Sequence, residues 1–116
     1  MTLQKPPAPI RDRKHLAFVR SVGCIFDGRP AEAAHVRYGD IATGKPHTPA
    51  YRKPSDIYAV PLCAECHRDG PVAQHKSNER EWWERKGVDP LPLAAALYAA
   101  TGDYEAACAI LRRLAT

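Results

Sequence analysis

No window of 18 or more apolar residues exists in the 116-residue sequence, so nothing in it reads as a membrane-spanning helix. The opening residues, Met1-Thr2-Leu3-Gln4-Lys5-Pro6-Pro7, carry a lysine and prolines where a secretory signal needs an apolar run. These absences predict a cytoplasmic protein with no membrane partner. The chain is too short for several independent cores, and it contains no internal repeat. Cysteine is scarce at four residues, and in a reducing compartment a Cys-x-x-Cys pair is more often a metal or redox feature than a disulfide. Seven glycines and eleven prolines interrupt the chain often, yet a hydrophobic content of 45% is too high for wholesale disorder.

Charge is unevenly placed. Residues 1–60 hold ten Lys/Arg against five Asp/Glu, a surplus of five cations, whereas residues 61–116 hold seven against eight. A basic half suits contact with phosphates, because neutralising them releases counterions.

Residues 1–14 read as a flexible arm, Pro-rich at first and ending in Arg11, Arg13 and Lys14, a run able to touch nucleic acid but more in keeping with a solvated charge cluster. From His15 onward the pattern predicts strand, knuckle, strand around Cys24-Ile25-Phe26-Asp27, with Gly23 and Gly28 bracketing a tight turn. Ala33 to Tyr38 alternates like a strand, with His35 in it or at its end. Residues 39–54 are broken by glycine and proline into a long loop. Ile57 to Leu62 reads as a short strand ended by Pro61, and Cys63-Ala64-Glu65-Cys66-His67 as a knuckle turning into a short helix that stops near Gly70-Pro71. The remainder is helical: Asn78 and Glu81 form a capping-box pattern, Gly87 a stop, Asp89-Pro90 a new start, Gly102 a second stop and Asp103 a third start. Leu93, Ala94, Leu97 and Tyr98, then Ala107, Ile110, Leu111 and Leu114, share apolar faces, with Cys108 a small buried hydrophobe beside the last.

The residues able to do chemistry are Cys24, His35, Cys63, Cys66, His67 and His75. Thiolates and imidazoles bind zinc in tetrahedral sites, and two knuckles from separate segments can clamp one ion. Cys63-x-x-Cys66 supplies half of such a site and Cys24 a third ligand; the fourth position is open between Asp27, which stands where a second knuckle thiolate belongs, a histidine, and water. The alternative is reduced thiols that simply pack. Arg37 lies two residues beyond His35, on the same strand face, where it can meet a phosphate. Lys45, Arg52 and Lys53 set the long loop against a nucleic-acid backbone.

Read in order, Cys24, Ala33-Ala34-His35-Val36-Arg37, Lys53-Pro54-Ser55-Asp56, Val60 to His67, Gln74-His75 and a Trp-containing helix resemble the HNH, or ββα-metal, nucleases. They are most similar to a phage and prophage group that includes the RecA-dependent recombination-enhancement nucleases of temperate phages. The resemblance covers roughly residues 20–90 and is specific as an ordered set. It implies an α+β fold with a small ββα-metal, zinc-containing core over residues 15–90 and C-terminal helices over 91–116. It implies a metal-dependent DNA endonuclease or nickase of a bacterial host or prophage. In that reading His35 is the general base, and His67, with His75 as a further candidate, holds a catalytic Mg²⁺, Mn²⁺ or Zn²⁺. Asp56 or the loop before it helps to shape the site. A recombinase filament or another phage recombination or replication protein is the implied partner beside DNA. The chain departs from the family at Asp27 and at Tyr58, which stands about where the middle Asn of the HNH name would be.

Each residue also has a plainer role. His35 alone would be a satisfied strand histidine, His75 a surface residue, and His15 and His47 solvated. Trp82 and Trp83 are adjacent, so one is expected in the core and the other over the metal layer or exposed. Two rival functions remain open. A zinc-stabilised nucleic-acid binding module without catalysis accounts for the missing Asn and Cys. A thiol–disulfide oxidoreductase using Cys63 and Cys66 lacks the surrounding βαβ pattern.

Overall fold

A computed structural model describes residues 9–40, 45, 53–76 and 78–114. The fold is α+β: four helices around a two-stranded antiparallel sheet. Helix α1 (Arg13–Ser21) leads through a glycine-bounded turn into β1 (Ala31–His35). After the loop come a 3₁₀ turn (Asp56–Tyr58), β2 (Ala59–Cys63) and a π-helical turn (Glu65–Asp69). A second 3₁₀ turn (Gln74–Lys76) precedes α2 (Glu79–Lys86), α3 (Pro90–Ala99) and α4 (Tyr104–Leu114). Among the described residues no helix is long and apolar enough to cross a membrane.

Helix α1 replaces the strand expected from His15 onward. The Asp12 side chain accepts from the His15 N–H at 2.9 Å, satisfying one of the orphan donors of the first turn. His15 and Val19, four apart, then bury one face against the sheet. The expected boundary between residues 14 and 15 thus falls inside a helix. The described end of the arm is tied down: Ile10 N–H donates to Ser55 Oγ, and Arg11 donates to the carbonyls of Pro54 and Lys53.

The first knuckle forms as expected. Gly23 and Gly28 take positive φ, and the Cys24 and Gly28 N–H groups close the turn on the carbonyls of Arg29 and Cys24. A Cβ on Gly23 would press on the Gly28 carbonyl at 3.3 Å, so both backbone angle and space call for glycine.

His35 is the last residue of β1, and it pairs with Ala59 in a register that also sets Ala33 opposite Pro61 and Ala31 opposite Cys63. Pro61 sits inside β2 instead of ending it. The Val36 N–H donates to Tyr58 O, so the hydrogen-bonded pairs are those two residues on either side of it in turn, and Pro61 falls at a non-bonded position. Its missing N–H costs the ladder nothing.

The helix signals behave as the sequence predicts. Asn78 and Asp89 cap α2 and α3, Asp103 accepts from Ala106 N–H ahead of α4, and Gly87 takes the left-handed stop at φ 72°. The tryptophan expectation fails, because Trp82 and Trp83 are both buried, with ring centroids 4.8 Å apart at 88°. Helix α2 has partners on two sides: Phe26 from the first knuckle approaches both rings, and Leu93, Leu97 and Ala107 complete the same cluster. Leu114 is exposed and Cys108 only half-buried, so the apolar stripe of α4 is shorter than expected. One cluster unites knuckle, sheet and helices, so residues 91–114 belong to the same core as the rest.

Candidate functional site

Two groups of chemistry-bearing side chains emerge, one built around Cys63 at one end of the β1–β2 ribbon and one around His35 at the other. The first is Cys24, Asp27, Cys63 and Cys66, whose ligand atoms all lie within 4.8 Å of one another. Cys24 and Asp27 come from the first knuckle, Cys63 from the last position of β2, and Cys66 from the π-helical turn that follows. Asp27 Oδ2 accepts from Cys63 Sγ at 3.1 Å and stands 3.9 Å from Cys66 Sγ. Those separations bracket the tetrahedral O···S edge of about 3.5 Å that a Zn–S bond of about 2.3 Å and a Zn–O bond of about 2.0 Å imply. Backbone N–H groups point at the sulfurs, Phe26 N–H to Cys24 Sγ and Cys66 N–H to Cys63 Sγ, both at 3.5 Å. Such donors favour thiolates. Burial meanwhile raises the Cys63 thiol and pushes Cys66 up to about 12, a cost that a bound cation would reverse. Three thiols and one carboxylate can therefore hold a metal ion, and the set is compatible with a structural zinc.

The second group surrounds a cleft of about 640 Å³ lined by His35, Arg37, Tyr38, Gln74, His75, Asn78, Glu79 and Arg80. His35 Nε2 donates to Asp56 Oδ1 at 2.9 Å. Asp56 is 2% exposed, and its other oxygen accepts from the Asp12 N–H at 2.7 Å. Burial alone would raise this carboxyl, but the bonds from His35 and Asp12 take it below its ordinary range. A carboxylate can only accept, so the proton sits on Nε2 and Nδ1 keeps a free lone pair. Burial lowers the His35 pKa, with Asp56 opposing and Lys53 and Arg11 adding to the fall. His35 is therefore an oriented imidazole, neutral at pH 7.

His67 is arranged in a similar way. Its Nδ1 faces Glu32 Oε1 at 2.8 Å, which fixes the ring so that Nε2 points away, and Arg68 grips both oxygens of the same carboxylate. Hydrogen bonds from Arg68 and then His67 hold Glu32 down at about 2. His67 meets the His75 ring edge-on at 4.2 Å between centroids. Burial, then the neighbouring His67, lowers the His75 pKa. His67 is not among the residues that line the cleft; His75 is. Among the described residues, no third His, Cys or carboxylate closes on His67 and His75 at metal-binding distance.

The remaining candidates divide. Arg37 shares the cleft with His35, and its backbone is held on both sides: its N–H donates to Glu79 Oε1 at 2.8 Å, and its carbonyl accepts from Lys45 Nζ at 3.2 Å. Lys45 is 3% exposed, with its ammonium over the Tyr58 ring. This lysine braces Arg37 from inside the fold, and the phosphate contact expected of it is not available. Lys53 is exposed and near His35. Arg52 and His47 lie outside the described residues. His15 is buried, its Nδ1 bonded to the Thr101 hydroxyl at 2.7 Å, where a solvated side chain was expected.

Three participants escaped the sequence reading. Glu32 and Gln74 carry no local signal, since an acid in a strand and an amide before a helix are ordinary surface residues. Glu79 reads as a first-turn acid suited to the helix dipole, which conceals its bonds to the Arg37 backbone and to Gln74 Nε2. No family model, curated protein or solved structure matches this chain.

Proposed function

We propose that the chain is a metal-dependent DNA endonuclease or nickase of the HNH type, with a structural zinc on Cys24, Cys63, Cys66 and Asp27. The observation that carries this reading is the buried Asp56 carboxylate bonded to His35 at the edge of a cleft that Arg37 and His75 share. Asp56 does for His35 what an orienting group does in any base-assisted site: it fixes one tautomer and stabilises the imidazolium that forms on proton uptake.

In this reading a water approaching Nδ1 of His35 loses its proton to that nitrogen as its oxygen attacks phosphorus. Arg37 meets the phosphate from the same cleft, and Lys53 adds positive charge nearby. A divalent cation on His67 and His75, completed by water, would neutralise the developing charge and help the 3′ oxygen to leave. Glu32 would orient His67 toward it, as carboxylates orient metal-bound imidazoles. DNA is the substrate, and a recombinase filament of a phage or its bacterial host is the partner worth adding to an assay.

The zinc-stabilised binding module remains a second reading, favoured by one observation: among the described residues, His67 and His75 lack a third protein donor. Supercoiled plasmid incubated with the protein and Mg²⁺, Mn²⁺ or Zn²⁺ separates the two. The nuclease converts it to open-circle or linear form, and His35→Ala loses about 10²–10⁴-fold in rate while still binding DNA. Plasmid left uncut with each ion, with and without recombinase filament, leaves the binding module.

A further inference from the structure

Helix α1 presents an exposed cationic face, and its first turn is tied to the carboxylate that holds His35. Arg13, Lys14, Ala17, Arg20 and Ser21 are exposed, whereas His15 and Val19 face inward. Arg13 and Arg20 are seven residues apart, so they fall on one stripe two turns long, about 10 Å from end to end. The helix contains no Asp or Glu, and Arg13, Lys14 and Arg20 make no ion pair or side-chain hydrogen bond with a described residue. Helices α2 and α4 have acids in the first turn and bases in the last, matching their dipoles. Helix α1 instead carries two cations, Arg13 and Lys14, in the turn that follows its Asp12 cap, and no acid within the helix.

The N-terminal end of the stripe lies beside the support of His35, a residue that lines the cleft. Just before α1, Asp12 N–H donates to Asp56 Oδ2, and Arg11 Nη1 lies 3.7 Å from Asp56 Oδ1, the oxygen that accepts from His35. A polyanion lying along α1 from Arg20 to Arg13 would thus end beside Arg11 and Asp12, the two residues that hold the carboxylate partner of His35. Successive phosphates of one B-DNA strand rise about 3.4 Å along the axis and wind around it, so they lie about 7 Å apart and the stripe spans about two of them. The apolar side of α1 is already packed, with Val19 buried and Phe18 and Val22 against the core, so it has nothing to insert into a bilayer.

We propose that the Arg13–Lys14–Arg20 face of α1 is the surface along which the backbone of a DNA duplex lies as it enters the cleft. The inference deepens the nuclease reading and rests on it for the choice of DNA.

The test compares two variants of equal net charge, R13Q/R20Q on α1 and R85Q/R112Q on the exposed surfaces of α2 and α4. A short labelled duplex is titrated by fluorescence anisotropy across a salt series. Loss of two phosphate contacts should flatten the slope of log K against log salt by about 1.8, at 0.9 per contact. R85Q/R112Q should keep the wild-type slope, and R13K/R20K should restore it, with circular dichroism confirming that each variant is folded. Equal loss in the two Gln doubles, or loss in neither, overturns the assignment to α1. Binding to phosphatidylserine vesicles that depends on Arg13 and Arg20 as strongly as duplex binding does would also overturn it. If wild type cuts plasmid while R13Q/R20Q binds duplex unchanged, only the α1 surface is wrong; if wild type binds no duplex at all, the DNA reading falls with it.

Discussion

The pairing of His35 with Asp56 predicts a measurable coupling energy. Asp56→Ala deletes the acceptor for two donors, His35 Nε2–H at 2.9 Å and the Asp12 N–H at 2.7 Å. Leaving a buried donor unsatisfied costs about 1–3 kcal/mol, so the variant should lose about 2–6 kcal/mol, the low end applying if water reaches Asp12. His35→Ala removes one of those donors but leaves Asp56 with the Asp12 N–H and with Arg11 at 3.7 Å, so its cost should be smaller. In the double variant the His35 donor is gone and cannot be stranded. The two effects should therefore fall short of additivity by about 1.5–3 kcal/mol, the range for a hydrogen bond to a charged group. Urea unfolding of the four proteins at neutral pH gives the cycle directly. Additivity within about 0.5 kcal/mol would show that the pair does not interact in solution, and the argument for an oriented base would go with it. Asp56→Asn is the finer probe: it keeps one acceptor and turns an NH₂ toward the other donor, so it should fall between wild type and Asp56→Ala.

Metal analysis of folded, reduced protein should find about one zinc per chain, and chelation should unfold the domain, because binding energy at such a site is folding energy. Cys63→Ser and Cys66→Ser should unfold or aggregate it, Cys108→Ser should be mild, and unchanged zinc in Asp27→Ala would transfer the fourth position to another ligand. Trp82→Phe should destabilise more than Trp83→Phe by about 1 kcal/mol or more, since Trp82 Nε1 donates to Val72 O at 2.6 Å while Trp83 Nε1 has no partner among the described residues; equal losses in thermal unfolding would contradict this. Stability should fall as pH drops below about 6.5, because burial lowers the folded-state pKa of His15 and His35 and the unfolded chain then binds the more protons. The loss should continue until pH passes through those lowered folded-state values, and His15→Gln should reduce it; a flat urea midpoint from pH 7 to pH 5 would count against buried neutral imidazoles.

Legibility in the sequence followed the range of the interaction. Caps at Asn78 and Asp89 and the stop at Gly87 are local, and they read correctly because donor and acceptor lie within three residues. The Cys63-x-x-Cys66 spacing likewise announced a turn that aims both sulfurs at one point, and the short segment from Cys24 to Asp27 supplied the facing pair. Phe18, Val19 and Val22 favour strands by type, whereas helix α1 is decided by the Asp12 cap, which lies before the apolar stretch itself. The Trp82–Trp83 expectation assumed one buried side for α2, and only the tertiary arrangement, with Phe26 on one flank and α3 on the other, buries both. Glu32 with His67 and Glu79 with Arg37 join residues 35 and 42 positions apart, beyond any periodicity. Lys45 shows the converse: a lysine in a basic loop reads as solvent-facing until its carbonyl partner is known.

A ribbon of two strands has two open edges, and each is a template on which a neighbouring molecule could add a strand. The outward positions of β2 are Ala59, Pro61 and Cys63, and the middle one is the residue that cannot donate. Its carbonyl is already occupied by the Ile25 N–H at 3.2 Å. An incoming strand would find the centre of this edge without a donor and without a vacant acceptor, flanked by a knuckle that covers it. The proline that interrupts the sequence pattern of a strand thereby protects the sheet against growing into its neighbours, at no expense to the ladder within.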